Sequence, residues 1–134
     1  MSVVIDNLQV SLIFRLRQLL DNKIIKVDSL NIGNINICDN ITKEIKFIIE
    51  RKPIYELIND KKNNCTEDIT RLLSSSYNIY YLIEGNQDML REKQKDTVNR
   101  ISDLLDNNRF NVIYTKNIDE STNLIITLIL REIG

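Results

Sequence analysis

The second half of the chain alternates twice between a short apolar run and a longer stretch with helical spacing. This alternation does the most to limit the fold. "YNIYYLIEG" (77–85) is a β-branched and aromatic run closed by glycine, and "DMLREKQKDTVNRISDLLDNN" (88–108) follows with Leu90, Val98, Ile101, Leu104 and Leu105 predicted on one face. "FNVIYT" (110–115) and "DESTNLIITLILREI" (119–133) repeat the pattern, with Asp119 or Ser121 as the expected helix cap. Strands joined by crossover helices pair in parallel, so this half requires a sheet with helices packed on it.

The first half adds strands of another kind. "SVVID" (2–6) reads as a buried strand, and "VSLIFRLRQLL" (10–20) as a helix with Leu12, Ile13, Leu16, Leu19 and Leu20 inward. "IIKVDSLNIGNINIC" (24–38) reads as strand, bend, strand, and "IKFIIE" (45–50) as the next strand. Pro53 suits the first turn of a helix over 53–60. A further helix is expected over roughly 66–75, capped by Thr66. The order β-α-β-β-β-α-α-β-α-β-α, with an early hairpin, implies an α/β domain spanning 1–134: a mixed central sheet flanked by helices on both faces.

Composition narrows the chemistry. With 134 residues the chain can bury a core without staples. It has no histidine, which removes imidazole bases and the common zinc sets, and its two cysteines, Cys38 and Cys65, fit a reduced intracellular thiol pair. The net charge of −1 provides no global field for nucleic acid, so any such binding rests on local patches. "LIITLIL" is far too short to span a membrane, and no leader-like segment opens the chain.

The fourth strand ends in three charges, Glu50-Arg51-Lys52. Side chains alternate along a strand, so Glu50 and Lys52 share a face and Arg51 takes the other. A carboxylate and an ammonium so placed suit metal-dependent phosphodiester hydrolysis: the carboxylate holds Mg²⁺ and the lysine stabilises charge or positions water. The same tripeptide also describes a strand end reaching solvent.

The surrounding motifs carry a resemblance. "VVID" holds Asp6, "IGN" holds Gly33 and Asn34, "IIERKPIYEL" holds Glu50-Arg51-Lys52 and Glu56, "TEDITRLL" holds Arg71 and Leu72, and "YYLIEG" holds Glu84 and Gly85. In order and spacing these resemble the nuclease domain of the XPF family, the structure-selective endonucleases that include XPF, the Mus-type resolvases and the archaeal Hef nuclease. That family reads roughly V-D-x-R-E, G-D, E-R-K-x-x-x-D and a strand ending E-G. The resemblance implies a restriction-endonuclease-like fold and Mg²⁺-dependent cutting of branched DNA (flaps, forks, junctions) in repair or recombination, with Mn²⁺ able to substitute. Its implied catalytic residues are Glu50, Arg51, Lys52 and Asp6. Glu50 and Asn34 would be metal ligands, and Arg51, Lys61, Lys62 and Arg71 would contact DNA.

It also implies a homodimer or heterodimer through the last two helices. The wide apolar stripe Leu124–Ile133 fits such an interface, and Ile125 or Ile129 is expected to face outward. The expected compartment is intracellular, the nucleus or another site of DNA replication, with no membrane partner.

Three departures weaken the match. Asn34 stands where the family has the aspartate of G-D, Leu8-Gln9 where it has Arg-Glu, and Glu56 where it has the last aspartate. A replaced aspartate, a weakened natural site and a non-cutting subunit that dimerises with an active partner all fit Asn34. For Asp6 and Glu84, capping of strand ends competes with a role at the site, and Tyr77, Tyr80 and Tyr81 are expected in the core.

Overall fold

The computed structural model describes residues 1–59 and 64–133. Its sheet has six strands: β1 (Ser2–Asp6), β2 (Ile25–Asp28), β3 (Ile35–Cys38), β4 (Ile45–Pro53), β5 (Asn78–Glu84) and β6 (Asn111–Thr115). Helices α1 (Val10–Leu19), α2 (Ile54–Ile58), α3 (Asn64–Leu73), α4 (Glu92–Asn107) and α5 (Ile118–Ile133) pack around it. The strand order is β2-β1-β3-β4-β5-β6. β1 and β2 are parallel, β3 runs antiparallel to β1 and β4, and β4, β5 and β6 are parallel to one another. This is the mixed sheet that the alternating pattern predicts.

Strand alternation divides the core in two. Val3, Ile5, Ile35, Ile37, Phe47, Ile49 and Leu82 meet Leu12 and Leu16 of α1 and Ile125, Leu128 and Ile129 of α5. On the other face, Ile48, Ile79, Tyr81 and Ile83 meet Leu57 of α2, Ile69 and Leu72 of α3, and Val98 and Leu105 of α4. Each such buried aliphatic side chain contributes about 1.5–3 kcal/mol relative to exposure. β4 lies inside the sheet and supplies both cores, so charges on its later residues inherit two separate surroundings.

Several expectations are corrected in detail. The early hairpin is formed by β3 and β4, while β2, the first strand of the 24–38 stretch, sits at the sheet edge beside β1. β4 continues through Glu50-Arg51-Lys52 to Pro53, whose φ of −59° and ψ of 139° are extended, and α2 starts only after it. Helix α3 begins at Asn64, two residues before the expected cap Thr66. The cap of α5 is Asn117, whose side-chain oxygen accepts from the Glu120 N–H, and not Asp119 or Ser121. Leu19 and Leu104, expected inward, are 60% and 46% exposed. Ile125 and Ile129 are both fully buried, so neither faces outward. Tyr81 is core as expected, whereas Tyr77 is exposed.

Candidate active site

The antiparallel pairing of β3 with β4 sets Ile35 opposite Ile49. Two residues before Ile35, Gly33 adopts φ +72°, and a Cβ there would lie 2.3 Å from Cγ2 of Ile48. Glycine therefore allows the chain to close onto β4, which a side chain would block. Asn34, next in line, donates its N–H to the Ile49 carbonyl (3.0 Å), and its side-chain oxygen accepts from the Arg51 N–H (2.7 Å). These two bonds straddle Glu50 and make Asn34 its immediate cross-strand neighbour.

Glu50 and Lys52 lie on the α2–α4 face, as the alternation requires. Glu50 is only 5% exposed. Lys52 Nζ sits 3.5 Å from Glu50, 3.1 Å from Asp68 of α3 and 3.8 Å from Glu56 of α2. Burial pushes the Glu50 carboxyl up to about 7; the Lys52 charge opposes this rise and Asp68 adds to it. A buried carboxyl that changes charge near neutrality beside a fixed cation is a common property of functional sites.

Arg51 points the other way, into the α1–α5 face. Its Nε and Nη2 donate to the two carboxylate oxygens of Glu84 at 2.8 and 2.5 Å, and its Nη1 reaches the Gln9 side chain at 3.4 Å. Sequence order alone could not reveal this bidentate pair, because its members are 33 residues apart. Glu84 is thus an ion-pair partner and not a turn cap.

The other candidates fall in different places. Asp6 gives its carboxylate to two backbone N–H groups, Leu30 (2.9 Å) and Leu8 (3.3 Å), and so ties the end of β1 to the following loops. Its own N–H donates to the Asn34 carbonyl (2.8 Å), which links it to the site through backbone only. Arg71 is exposed on α3 and donates to the Asn31 carbonyl at 3.3 Å. Lys61 and Lys62 lie outside the described residues. The structure thus brings together Asn34, Glu50 and Lys52, adds Asp68, and leaves Arg51 and Asp6 elsewhere. Asp68 was missed because an acidic residue on an amphipathic helix carries no positional signal.

The donor chemistry for a divalent ion is spare. Among the described residues, no group of three histidine, cysteine, aspartate or glutamate side chains is arranged to hold a metal. Mg²⁺ commonly keeps several waters and takes one or two carboxylates together with substrate phosphates. Glu50 and the remaining lone pair of the Asn34 amide oxygen meet that minimum with a single carboxylate.

The ERCC4 domain family model matches residues 9–128. Among solved structures, the chain is similar to XPF from Aeropyrum pernix, with a TM-score of 0.65 and 16% identity over 96% of this chain and 63% of that one. It is also similar to XPF from Aeropyrum pernix in complex with DNA, with a TM-score of 0.65 and 15% identity over 95% of this chain and 62% of that one. The chain therefore spans less than two thirds of the length of those chains. No curated protein matches its sequence. With the sheet order, the E-R-K strand and this match over most of its length, the chain belongs to the ERCC4 domain family and has the fold of the XPF nuclease domain.

Proposed function

We propose that this domain hydrolyses phosphodiester bonds in branched DNA (flaps, forks or junctions), in repair or recombination, with a site weakened by Asn34. The observation that carries this reading is the joint presentation of Glu50 and Lys52 from one strand face, directly beside Asn34. Mg²⁺, or Mn²⁺ in its place, would be held by Glu50 and Asn34 and would supply positive charge at the phosphoryl oxygen. The Lys52 ammonium stabilises negative charge on the phosphate as water attacks phosphorus and the P–O bond breaks. Glu56 and Asp68 hold that ammonium in place from two helices. Arg71, Lys61 and Lys62 make phosphate contacts, which supply most of the affinity for a chain of net charge −1. The similar XPF captured with DNA supports DNA as the partner.

Asn34 also favours a second reading, a non-cutting subunit that positions DNA beside an active partner. Its neutral amide leaves one carboxylate where two are usual, and its side-chain oxygen already accepts the Arg51 N–H. In either reading the domain works as a homodimer or heterodimer through α4, β6 and α5. Strand β6 is the last of the sheet and, among the described residues, pairs on one side only, and Leu104, Tyr114 and Leu130 on the three elements are 46%, 41% and 54% exposed. The setting is intracellular, in the nucleus or another DNA-replication compartment. Among the described residues no helix is long and apolar enough to cross a membrane.

Cleavage of a labelled flap in Mg²⁺ separates the two readings. An amide in place of a carboxylate at a ligand position costs a few kcal/mol of transition-state stabilisation, or roughly 10²–10⁴-fold in rate. Asn34→Asp should restore that loss, and adding Glu50→Gln or Lys52→Ala should abolish it again. If Asn34→Asp stays inactive as a dimer, the non-cutting reading holds.

A further inference from the structure

Behind the site, on the far side of β4, lies a closed polar chain. Arg51 is 16% exposed and Glu84 10% at the side chain, and their ion pair is bidentate. Ser121 of α5, fully buried, donates to the same Glu84 oxygen at 2.7 Å. Its oxygen lies 2.6 Å from the hydroxyl of Thr115, 5% exposed, at the end of β6. Since the Ser121 proton goes to the carboxylate, Thr115 is the donor in that contact. The Thr115 carbonyl in turn accepts the Gly85 N–H at 2.9 Å. The ends of β4, β5 and β6, the start of α5 and the residue before α1 are thus linked through the Arg51–Glu84 pair.

We infer that Glu84, with Ser121 behind it, is a positioning residue: through Arg51 it fixes the last residues of β4, so that Glu50 and Lys52 hold their place on the opposite face. This rests on the nuclease reading of that face. Two features favour positioning over contact with substrate. The guanidinium has its charge matched by a carboxylate, and it borders a recess of about 200 Å³ lined by residues 8–12 and Ile118, on the side of the sheet away from Glu50. Its own backbone N–H is the one that Asn34 accepts, so movement of Arg51 passes directly to the Asn34–Glu50 edge. A bidentate pair also fixes orientation in a way a single contact cannot.

Amide hydrogen exchange reads this without any need for cleavage. The Arg51 and Asn34 N–H groups report on the site edge, and the Val3 N–H, bonded to the Ile24 carbonyl in the first strand, reports on global opening. Glu84→Gln or Arg51→Lys should speed exchange at Arg51 and Asn34 at least tenfold more than at Val3. Ser121→Ala should do the same to a smaller degree, and Arg51→Gln with Glu84→Gln, which restores a neutral hydrogen-bonded pair, should return much of the protection. In an Asn34→Asp background, Glu84→Gln should lower single-turnover flap cleavage at least tenfold with the Kd for flap DNA changed less than twofold. Equal acceleration at all three amides, or none, overturns the inference and leaves the pair a general contributor to stability. If Asn34→Asp never cuts, the nuclease reading fails, and the exchange ratio still decides the role of Glu84.

Discussion

The two faces of β4 carry consecutive charged residues in opposite states. On the α1–α5 face, one guanidinium meets one carboxylate in a bidentate pair, and two hydroxyls complete the hydrogen bonding. On the α2–α4 face, among the described residues, the Lys52 ammonium lies beside three carboxylates, and the most buried of them, Glu50, is pushed up to about 7. A charge-matched pair makes little electrostatic demand on an outside ion. A carboxyl poised near neutrality beside a lysine responds to any change in the charge around it. One strand thus carries a charge-matched pair and a perturbed carboxyl on neighbouring residues, because alternation sends them into separate environments.

Removing a charge should therefore have opposite effects on the two sides. Glu84→Ala leaves the Arg51 guanidinium largely buried without its partner, a change that costs about 3–5 kcal/mol in comparable buried pairs. At this chain length that lowers Tm by about 10 °C or more. Glu50→Gln at pH 8 removes a carboxylate that resists ionising, and should leave Tm unchanged or raise it. Thermal denaturation of both variants at pH 8 tests the contrast, and equal destabilisation by the two would erase the distinction between the faces.

The pH dependence of stability sharpens the same contrast. In the folded chain Glu50 holds its proton up to about 7, whereas in the unfolded chain it releases it near its ordinary 4.5. Between those values the native state binds more protons, so stability falls as pH rises. The contribution is fully present below about pH 4.5 and gone above about 7, and it amounts to about 3 kcal/mol. Urea denaturation from pH 5 to 8 should show this decline in the native chain and a flatter profile in Glu50→Gln. An unchanged slope in the variant would assign the decline to another group.

The alternation in "IKFIIERKP" disclosed that Glu50 and Lys52 share a face, because the period of a strand is a local property. The parallel half was legible from crossover lengths for the same reason. The edge position of β2 was not, since its apolar content suits pairing with β1 as well as with β3. The Arg51–Glu84 pair was hidden in plain view: both residues stood in recognisable motifs, yet their meeting depends on the parallel register of β4 with β5. Asp68 became part of the site only through the docking of α3, with Ile69 and Leu72 buried beside it. Helical spacing places Leu104 inward, but Val98 and Leu105 fill that face and leave Leu104 outside.

That misplaced leucine leads to the prediction with the smallest effect on the fold. The apolar stripe of α5 is largely used within the chain, with Ile125, Leu128 and Ile129 in the core and Leu124 and Ile126 packed against it. Its width is therefore no argument for a partner. Within the last three elements, the exposed large apolar side chains are Leu130 on α5, Leu104 on α4 and Tyr114 on the edge strand β6. A stable interface buries about 800 Å² on each side, and its core is apolar and aromatic. Leu104→Asp or Leu130→Asp, at positions already in water, should change the stability of the isolated fold by about 0.5 kcal/mol or less. In a dimer built on this edge, either change places an unpaired carboxylate in the contact and should yield a folded monomer by sedimentation equilibrium. A native chain that sediments as a monomer at high micromolar concentration would exclude self-association through this edge, while a partner chain of different sequence would remain detectable by co-sedimentation.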